Sequence, residues 1–167
     1  KKPTIAIDLP IHADLRDFFA EALKVQAERG TRVPAGWSAW CQVRKARYPV
    51  VLPSYWAQTE KVNPYCFVDA LWDALADDDV VVTGDGTACI ATFQAARLTG
   101  TQRLFSNGGS APMGFDLPGA IGAAVAREGK RVVCIAGDGS LQMNVQELQT
   151  VASQGLAIKL FVLNNEG

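Results

Sequence analysis

Three runs of consecutive apolar residues dominate the second half of the chain. Each run follows charged residues and precedes a short polar turn; the runs cover residues 80–83, 132–136 and 160–163. Strands that are apolar at every position are covered on both faces, as in parallel sheets. Segments of helical character separate the runs, at residues 88–98, 117–126 and 144–153. The pattern predicts an α/β fold with a doubly wound parallel sheet and helices on both faces.

The first 61 residues have a different pattern. Residues 4–7 are short and β-prone, and residues 14–27 place apolar side chains at helical spacing. One strand and one helix cannot bury a core, so we expect residues 1–30 to be the tail of a preceding α/β domain. Residues 31–61 are rich in proline and tryptophan, which predicts an interdomain connector packed against other structure.

Residues 62–167 are expected to form the third part, a domain truncated at its C-terminus. Its first helix is predicted to begin at Asn63 and Pro64, because Asn is a favoured N-cap and Pro suits the first helical position. The third apolar run is followed only by a polar turn ending at Gly167. Because a parallel sheet rarely ends on an uncovered strand, we expect this chain to be a fragment.

Composition excludes several classes of protein. Of the 167 residues, 49% are hydrophobic, and 16 basic against 17 acidic residues give a net charge of −1. A disordered chain would be less hydrophobic and more highly charged. A nucleic-acid platform or a polybasic membrane anchor needs a basic block that is missing here. The four cysteines are scattered, without a CxxC pair, which favours a reducing, cytoplasmic location.

The polar turns carry the candidate chemistry. Asp138 lies between two glycines after the second apolar run, and Asn165 follows the third run, 27 positions later. The carboxyl ends of parallel strands meet at one sheet edge, where such folds bind ligands. The amides of a turn that opens a helix favour phosphate oxygens, but a carboxylate there repels them unless a cation such as Mg²⁺ bridges the two. Asp138, Asn165 and the Gly167 carbonyl are therefore candidate metal ligands; taken singly, a helix cap and a plain turn remain alternatives.

The pair of motifs resembles a known family. GDGSLQMNVQEL (137–148) and LNNEG (163–167) look like the thiamin-diphosphate motif that opens with GDG and closes with NN. NGGSAPMGFDLPGAIGAA (107–124) resembles a stretch of the acetolactate synthases. The resemblance is to the acetolactate synthase and pyruvate decarboxylase group, over about residues 63–167. It implies an incomplete thiamin-diphosphate-binding fold, preceded by the end of the family's middle domain.

The resemblance also implies residue roles. Asp138, Asn165 and Gly167 match Mg²⁺ ligands, whereas Asp85, in a GDG without a partner NN, is expected to be exposed or a helix cap. The positions that match cofactor contacts are Gly86, Thr87, Ala111, Met113, Gly139 and Ser140. Four of these, Gly86, Thr87, Gly139 and Ser140, match contacts to the diphosphate. Met113 matches the apolar wedge that bends the cofactor, and the Ala111 carbonyl matches the acceptor for the 4′-amino group.

The expected activity is that of an acetolactate-synthase-like carboligase acting on a 2-oxo acid such as pyruvate. The alternatives are a 2-oxo acid decarboxylase, which the Gly86-Thr87-Ala88 turn resembles, and a non-catalytic cofactor-binding homologue. In the family, the activating Glu comes from a separate pyrimidine-binding domain of a neighbouring subunit. The resemblance thus implies a homodimer or homotetramer and an inactive fragment with no catalytic residue of its own. FAD in the middle domain would favour the synthase branch.

Overall fold

The computed structural model describes residues 4–31 and 33–166 and divides into two compact units, Lys1–Tyr48 and Pro49–Gly167. The division falls inside the segment 31–61 that we predicted as a connector. Whether residues 1–30 are the end of another domain stays a prediction.

The first unit contains two helices, α1 (Leu15–Arg29) and α2 (Trp37–Arg47). Helix α1 begins where the Asp14 carboxylate accepts the Arg16 amide at 2.8 Å. The strand predicted at residues 4–7 does not form, and these residues adopt turn and coil. A β-prone tetrapeptide needs a neighbouring strand for its backbone hydrogen bonds, and the described part of this unit contains none.

The second unit alternates helices and strands. Its helices are α3 (Pro53–Trp56), α4 (Pro64–Ala74), α5 (Gly86–Ala95), α6 (Asp116–Ala126), α7 (Asp138–Met143) and α8 (Leu148–Ser153), with a 3₁₀ turn at Val145–Glu147. Its strands are β1 (Val80–Thr83), β2 (Arg103–Phe105), β3 (Val132–Gly137) and β4 (Ile158–Leu163). The predicted start of α4 is confirmed, since the Asn63 side chain accepts the Tyr65 amide at 3.0 Å.

The four strands form one parallel sheet in the order β2-β1-β3-β4. The prediction of a doubly wound α/β fold is confirmed. The strand β2 was not predicted, because its three residues are only partly buried and form no apolar run. From β1 the chain moves to β2 on one side and then crosses to β3 on the other, so the topological switch point lies between β1 and β3.

Two apolar clusters cover the faces of the sheet. On one face, α4 and α5 pack against alternate residues of β1 and β3, with Val68, Trp72, Val81, Val133 and Ile135 at the centre. On the other face, α6 packs against the intervening residues, with Val82, Ala120, Ala124 and Cys134 at the centre. Because both faces are covered, every residue of β1 is buried. The sheet thus gives the turns at its edge a fixed base.

An ion pair between a buried carboxylate and a partly exposed arginine lies at the amino ends of the strands. The Arg131 guanidinium donates two hydrogen bonds to the Asp79 carboxylate, and the other contact of that carboxylate is the Ala76 amide at 2.7 Å. Burial alone would raise the pKa of Asp79, but the hydrogen bonds from Arg131 and Ala76 outweigh it and hold the pKa below its ordinary value. This pair ties the turn before β1 to the start of β3, at the end of the sheet opposite the candidate site.

Candidate functional site

Asp138 and Asn165 lie side by side at the carboxyl ends of β3 and β4. The two strands pair in register as far as Gly137 and Leu163, so the next residues of each strand leave the sheet together. One oxygen of the Asp138 carboxylate accepts a hydrogen bond from the backbone amide of Gly139 at 2.9 Å, and the other accepts one from the backbone amide of Asn165 at 3.3 Å. Two segments that are 27 positions apart in sequence therefore meet at one carboxylate.

The atoms that could bind a metal ion at this edge of the sheet are hard oxygens. Carboxylate, amide and backbone carbonyl oxygens suit Mg²⁺. The described residues contain no cluster of three His, Cys, Asp or Glu side chains that could hold a metal by themselves. A site here would need the Asn side chain, backbone oxygens and oxygens from a ligand. The third predicted ligand, Gly167, lies outside the described residues.

The turn after β1 forms a second part of the edge. Gly86 has a φ of +63°, a left-handed backbone that strains any residue with a Cβ atom. Asp85 precedes α5 at its N-cap position, but its side chain makes no cap hydrogen bond. The first amides of α5, including that of Thr87, are thus left for another acceptor.

A cavity of about 790 Å³ joins this turn to the end of β4. Thr87 lines it from the β1 side, and Asn164 and Asn165 line it from the β4 side. The segment 58–64, which leads into α4, forms another wall and contributes Glu60 and Lys61. Polar groups from the predicted diphosphate turn after β1, from the asparagine turn after β4 and from this segment therefore share one opening.

The loop before α6 brings Met113 next to the turn that contains Asp138 and Gly139. A Cβ atom built on Gly139 would lie 3.2 Å from the Met113 Cε atom, so the Met side chain covers the glycine beside Asp138. Met113 is nevertheless 47% exposed. Ala111, two residues earlier, has a φ of +45°, and its amide donates to the Asn107 carbonyl at 2.7 Å. Strained non-glycine residues of this kind cluster at functional sites.

The hydroxyl of Ser140 is buried inside the protein. It donates to the Asp116 carboxylate at 2.5 Å and accepts the Gly114 amide at 2.7 Å, and the residue is only 4% exposed. Because a hydroxyl has one hydrogen, it cannot donate to a diphosphate while it holds Asp116. A contact from the Ser140 hydroxyl to the diphosphate therefore does not fit this geometry, whereas a contact from the Ser140 backbone amide does.

Sequence reasoning missed Asp116, a fully buried carboxylate at the start of α6. Its second oxygen accepts the Leu117 amide at 2.9 Å. Burial first, and then the Asp116 charge, raise the pKa of the Cys134 thiol to about 12. The only signal in the sequence was a single charge inside an otherwise apolar helix.

Asn144 and Glu147 have the sequence spacing of a helix capping box, but the box does not form. The side-chain amide of Asn144 instead donates to the Gly114 carbonyl at 2.7 Å. The Glu147 carboxylate accepts a hydrogen bond from the Thr150 hydroxyl at 2.8 Å. The spacing was suitable for a cap, but the chain continues from Asn144 into a 3₁₀ turn that no side chain caps. A tertiary contact has replaced the local one.

Comparison with known proteins agrees with this geometry. Residues 83–167 match the family described as thiamine pyrophosphate enzyme, C-terminal TPP binding domain. That region begins at the last residue of β1 and contains all three turns of the candidate edge. Among the described residues, no helix has the length and apolar character that a membrane crossing requires.

Relatives found by sequence include acetolactate synthases. The chain is 32% identical over 166 residues to the isozyme 1 large subunit of acetolactate synthase from Escherichia coli, covering 99% of this chain and 28% of that protein. It is 36% identical over 160 residues to the acetolactate synthase large subunit of Parasynechococcus marenigrum, covering 95% of this chain and 25% of that protein. The chain thus spans about a quarter of the length of the relatives it matches. Over more than half of its residues, this chain belongs to the thiamine pyrophosphate enzyme family, as part of the C-terminal TPP-binding domain.

Proposed function

We propose that this chain forms the Mg²⁺- and diphosphate-binding part of an acetolactate-synthase-like carboligase acting on a 2-oxo acid such as pyruvate. The observation that carries the proposal is the meeting of Asp138 and Asn165 at the carboxyl ends of the neighbouring strands β3 and β4. Family membership supports the cofactor, and the acetolactate synthase relatives support the reaction class.

The residues present fit the cofactor. Asp138 and Asn165 offer hard oxygens to Mg²⁺, and the Gly167 carbonyl would be a third ligand. The amides of Gly86 and Thr87 open α5 without a side-chain cap. In the first turn of α7 the Gly139 amide already donates to the Asp138 carboxylate, so the Ser140 amide is the group there that would bind a phosphate oxygen. Backbone amides at helix N-termini bind phosphate oxygens, so these two turns would hold the diphosphate from either side of the switch point.

When bound, thiamin diphosphate supplies a thiazolium carbon that adds to the carbonyl of the 2-oxo acid. Met113 would support the bend between the two rings of the cofactor, and the Ala111 carbonyl would accept its 4′-amino group. These two residues orient the cofactor, because the reacting groups must meet within the same molecule. They bring no proton-transferring group to the reaction.

The rest of the site would come from other parts of the protein. We propose that the polypeptide includes a pyrimidine-binding domain whose Glu protonates the cofactor, and that this Glu reaches the site across a homodimer or homotetramer. Residues 1–30 would belong to a middle domain, which would bind FAD in the synthase branch. On this proposal the protein is cytoplasmic, and this chain alone turns over no 2-oxo acid.

One observation favours the 2-oxo acid decarboxylases instead. The turn Gly86-Thr87-Ala88 resembles the Gly-Thr-Ser of the decarboxylases more than the Gly-Gln-His of the synthases, and Thr87 lines the cavity shared with Asn165. The relatives favour the synthases over the whole chain. This turn is therefore a departure from the synthase pattern, and it is the feature that would favour decarboxylation of the substrate over carboligation.

Product analysis tests the proposal. The full-length protein is incubated with pyruvate, Mg²⁺ and thiamin diphosphate, and carbon dioxide, acetolactate and acetaldehyde are measured. We expect acetolactate as the main product, formed only when both the metal and the cofactor are present. Acetaldehyde in place of acetolactate would establish the decarboxylase, and cofactor binding without turnover of any 2-oxo acid would establish a non-catalytic homologue.

A further inference from the structure

We infer that Asp116 and Asn144 are positioning residues that hold the loop of residues 107–115, here called the Met113 loop, against the segment that begins at Asp138. The hydrogen bonds and contacts that hold this loop are called the lock. The inference rests on the proposed function for its effect on the reaction, but the lock itself consists of contacts within this chain. Neither residue belongs to the metal ligands or cofactor contacts described above. Both act through Gly114, the neighbour of Met113.

Both backbone groups of Gly114 are held by the α7 region. Its amide donates to the Ser140 hydroxyl at 2.7 Å, and its carbonyl accepts the Asn144 side chain at 2.7 Å. The contact is close, since a Cβ atom on Gly114 would lie 2.7 Å from the Asn144 Nδ2 atom and 2.8 Å from the Met143 Cβ atom. The φ of Gly114 is +86°, so a glycine is needed here both for the backbone and for the space.

Asp116 fixes the direction of the Ser140 hydroxyl. The carboxylate has no hydrogen to donate when ionised, so the hydroxyl hydrogen lies on the Asp116 side and a lone pair faces the Gly114 amide. Asp116 is itself immobile, because it is fully buried and its other oxygen accepts the Leu117 amide. One buried carboxylate thereby sets a hydrogen-bond chain that ends on the loop.

The lock extends to the first turn as well. A Cβ atom on Gly84 would lie 2.5 Å from the Asp116 carboxylate, so the carboxylate fills the space directly beneath the end of β1. Asp116 therefore contacts the base of the β1 turn, the start of α7 and, through Ser140, the Met113 loop. The three segments proposed to hold the diphosphate and bend the cofactor converge on this side chain.

The lock should affect the position of Met113 relative to the cofactor more than the affinity for the diphosphate. Without the Asn144 amide, the Gly114 carbonyl loses one of the bonds that place Met113 over Gly139, while Asp138 and the amides of both helix starts are unchanged. A displacement of about 1 Å at a reacting centre can reduce the rate about 100-fold. Binding of a diphosphate without the two rings should hardly respond.

The test uses Asn144→Ala and the isosteric Asn144→Asp, which lacks the donor, in the full-length protein. Gln149→Ala, at an exposed position of α8, is the matched control. Three quantities are measured: amide hydrogen exchange of residues 107–115 without cofactor, the Kd of inorganic pyrophosphate with Mg²⁺, and the rate of C2 proton exchange of bound thiamin diphosphate.

We expect both Asn144 variants to exchange the loop amides about tenfold faster, as the loss of one partly buried hydrogen bond implies. C2 proton exchange should slow at least tenfold, the pyrophosphate Kd should stay within twofold, and the control should match the parent protein. A lower melting temperature with unchanged loop exchange and C2 exchange would overturn the inference. If the parent protein binds neither pyrophosphate nor thiamin diphosphate, the proposed function fails, whereas the loop exchange still decides whether the lock exists.

Discussion

Replacement of Gly84 by Ala should destabilise the end of β1 far more than the addition of a single methyl group would suggest. The new Cβ atom would lie 2.5 Å from the Asp116 Oδ2 atom and 3.1 Å from its Cγ atom. Asp116 is fully buried and cannot swing into solvent. Relief of the clash therefore requires the carboxylate to leave its hydrogen bonds with Ser140 and Leu117.

The size of the effect follows from those two bonds. Hydrogen bonds to charged groups contribute about 1.5–3 kcal/mol each, so Gly84→Ala should lower the free energy of unfolding by about 3–6 kcal/mol. Gly122→Ala is the matched control. Gly122 is an exposed glycine within α6, with nothing within 4 Å of an added Cβ atom, and the higher helix propensity of Ala should stabilise the protein by about 1 kcal/mol.

Amide hydrogen exchange gives the required local readout, because each peptide reports its own opening free energy. Peptides covering β1 and α6 are compared in the two variants and the parent protein. Faster exchange in Gly84→Ala and equal or slower exchange in Gly122→Ala are expected. If β1 in Gly84→Ala opens within 1 kcal/mol of the parent value, Asp116 is not held as described and the account of the lock is wrong.

Three further predictions concern single side chains. Met113→Ala should weaken thiamin diphosphate binding only modestly but slow C2 proton exchange by about 100-fold. Met113→Leu should recover much of the loss, since near-isosteric apolar substitutions usually cost less than about 1.5 kcal/mol. C2 proton exchange at the parent rate in Met113→Ala would show that Met113 is only a packing residue. Because burial raises the pKa of Cys134 to about 12, the folded thiol stays protonated where the unfolded thiol ionises. Stability should therefore fall above about pH 9 by up to about 1.4 kcal/mol per pH unit, and unfolding titrations of Cys134→Ala should lack this component; identical alkaline slopes would contradict the burial effect. The depressed pKa of Asp79 stabilises the fold above its unfolded-state pKa, so Asp79→Asn should be less stable at pH 7, and its deficit should shrink as the pH falls below about 4; a constant deficit in urea unfolding at each pH would refute the role of the ion pair.

The sequence predicted the parallel sheet well because its signal is local. Continuous apolar runs, with charged residues before and polar turns after, need no knowledge of tertiary contacts. The strand β2 is too short and too exposed to produce such a run. The β-prone residues 4–7 produced a signal, but without a partner strand in the described part of their unit they remain coil.

The candidate site divides in the same way. The turns of Asp138 and Asn165 were found because strand ends and spacing place them at one edge. The roles of Asp116 and Asn144 depend on Gly114, which is 30 positions from Asn144 in sequence, and no periodicity reports that contact. The Ser140 hydroxyl illustrates the limit, since the family resemblance implied a contact to the cofactor, whereas in the structure the hydroxyl is buried and donates to Asp116 instead.

The central claim is that the GDG turn after β3, and not the one after β1, holds the metal. The most direct measurement is titration calorimetry of thiamin diphosphate in the full-length protein, with and without Mg²⁺, for the parent, Asp138→Ala and Asp85→Ala. Loss of the carboxylate at Asp138 should abolish the Mg²⁺-dependent binding, at least about 100-fold in affinity, since even outer-shell changes at metal sites cost 10–100-fold. Asp85→Ala should bind within a fewfold of the parent, because the GDG that contains Asp85 lacks the partner NN motif that follows the GDG of Asp138 in the sequence. Equal losses in the two variants, or Mg²⁺-dependent binding that survives in Asp138→Ala, would contradict the account.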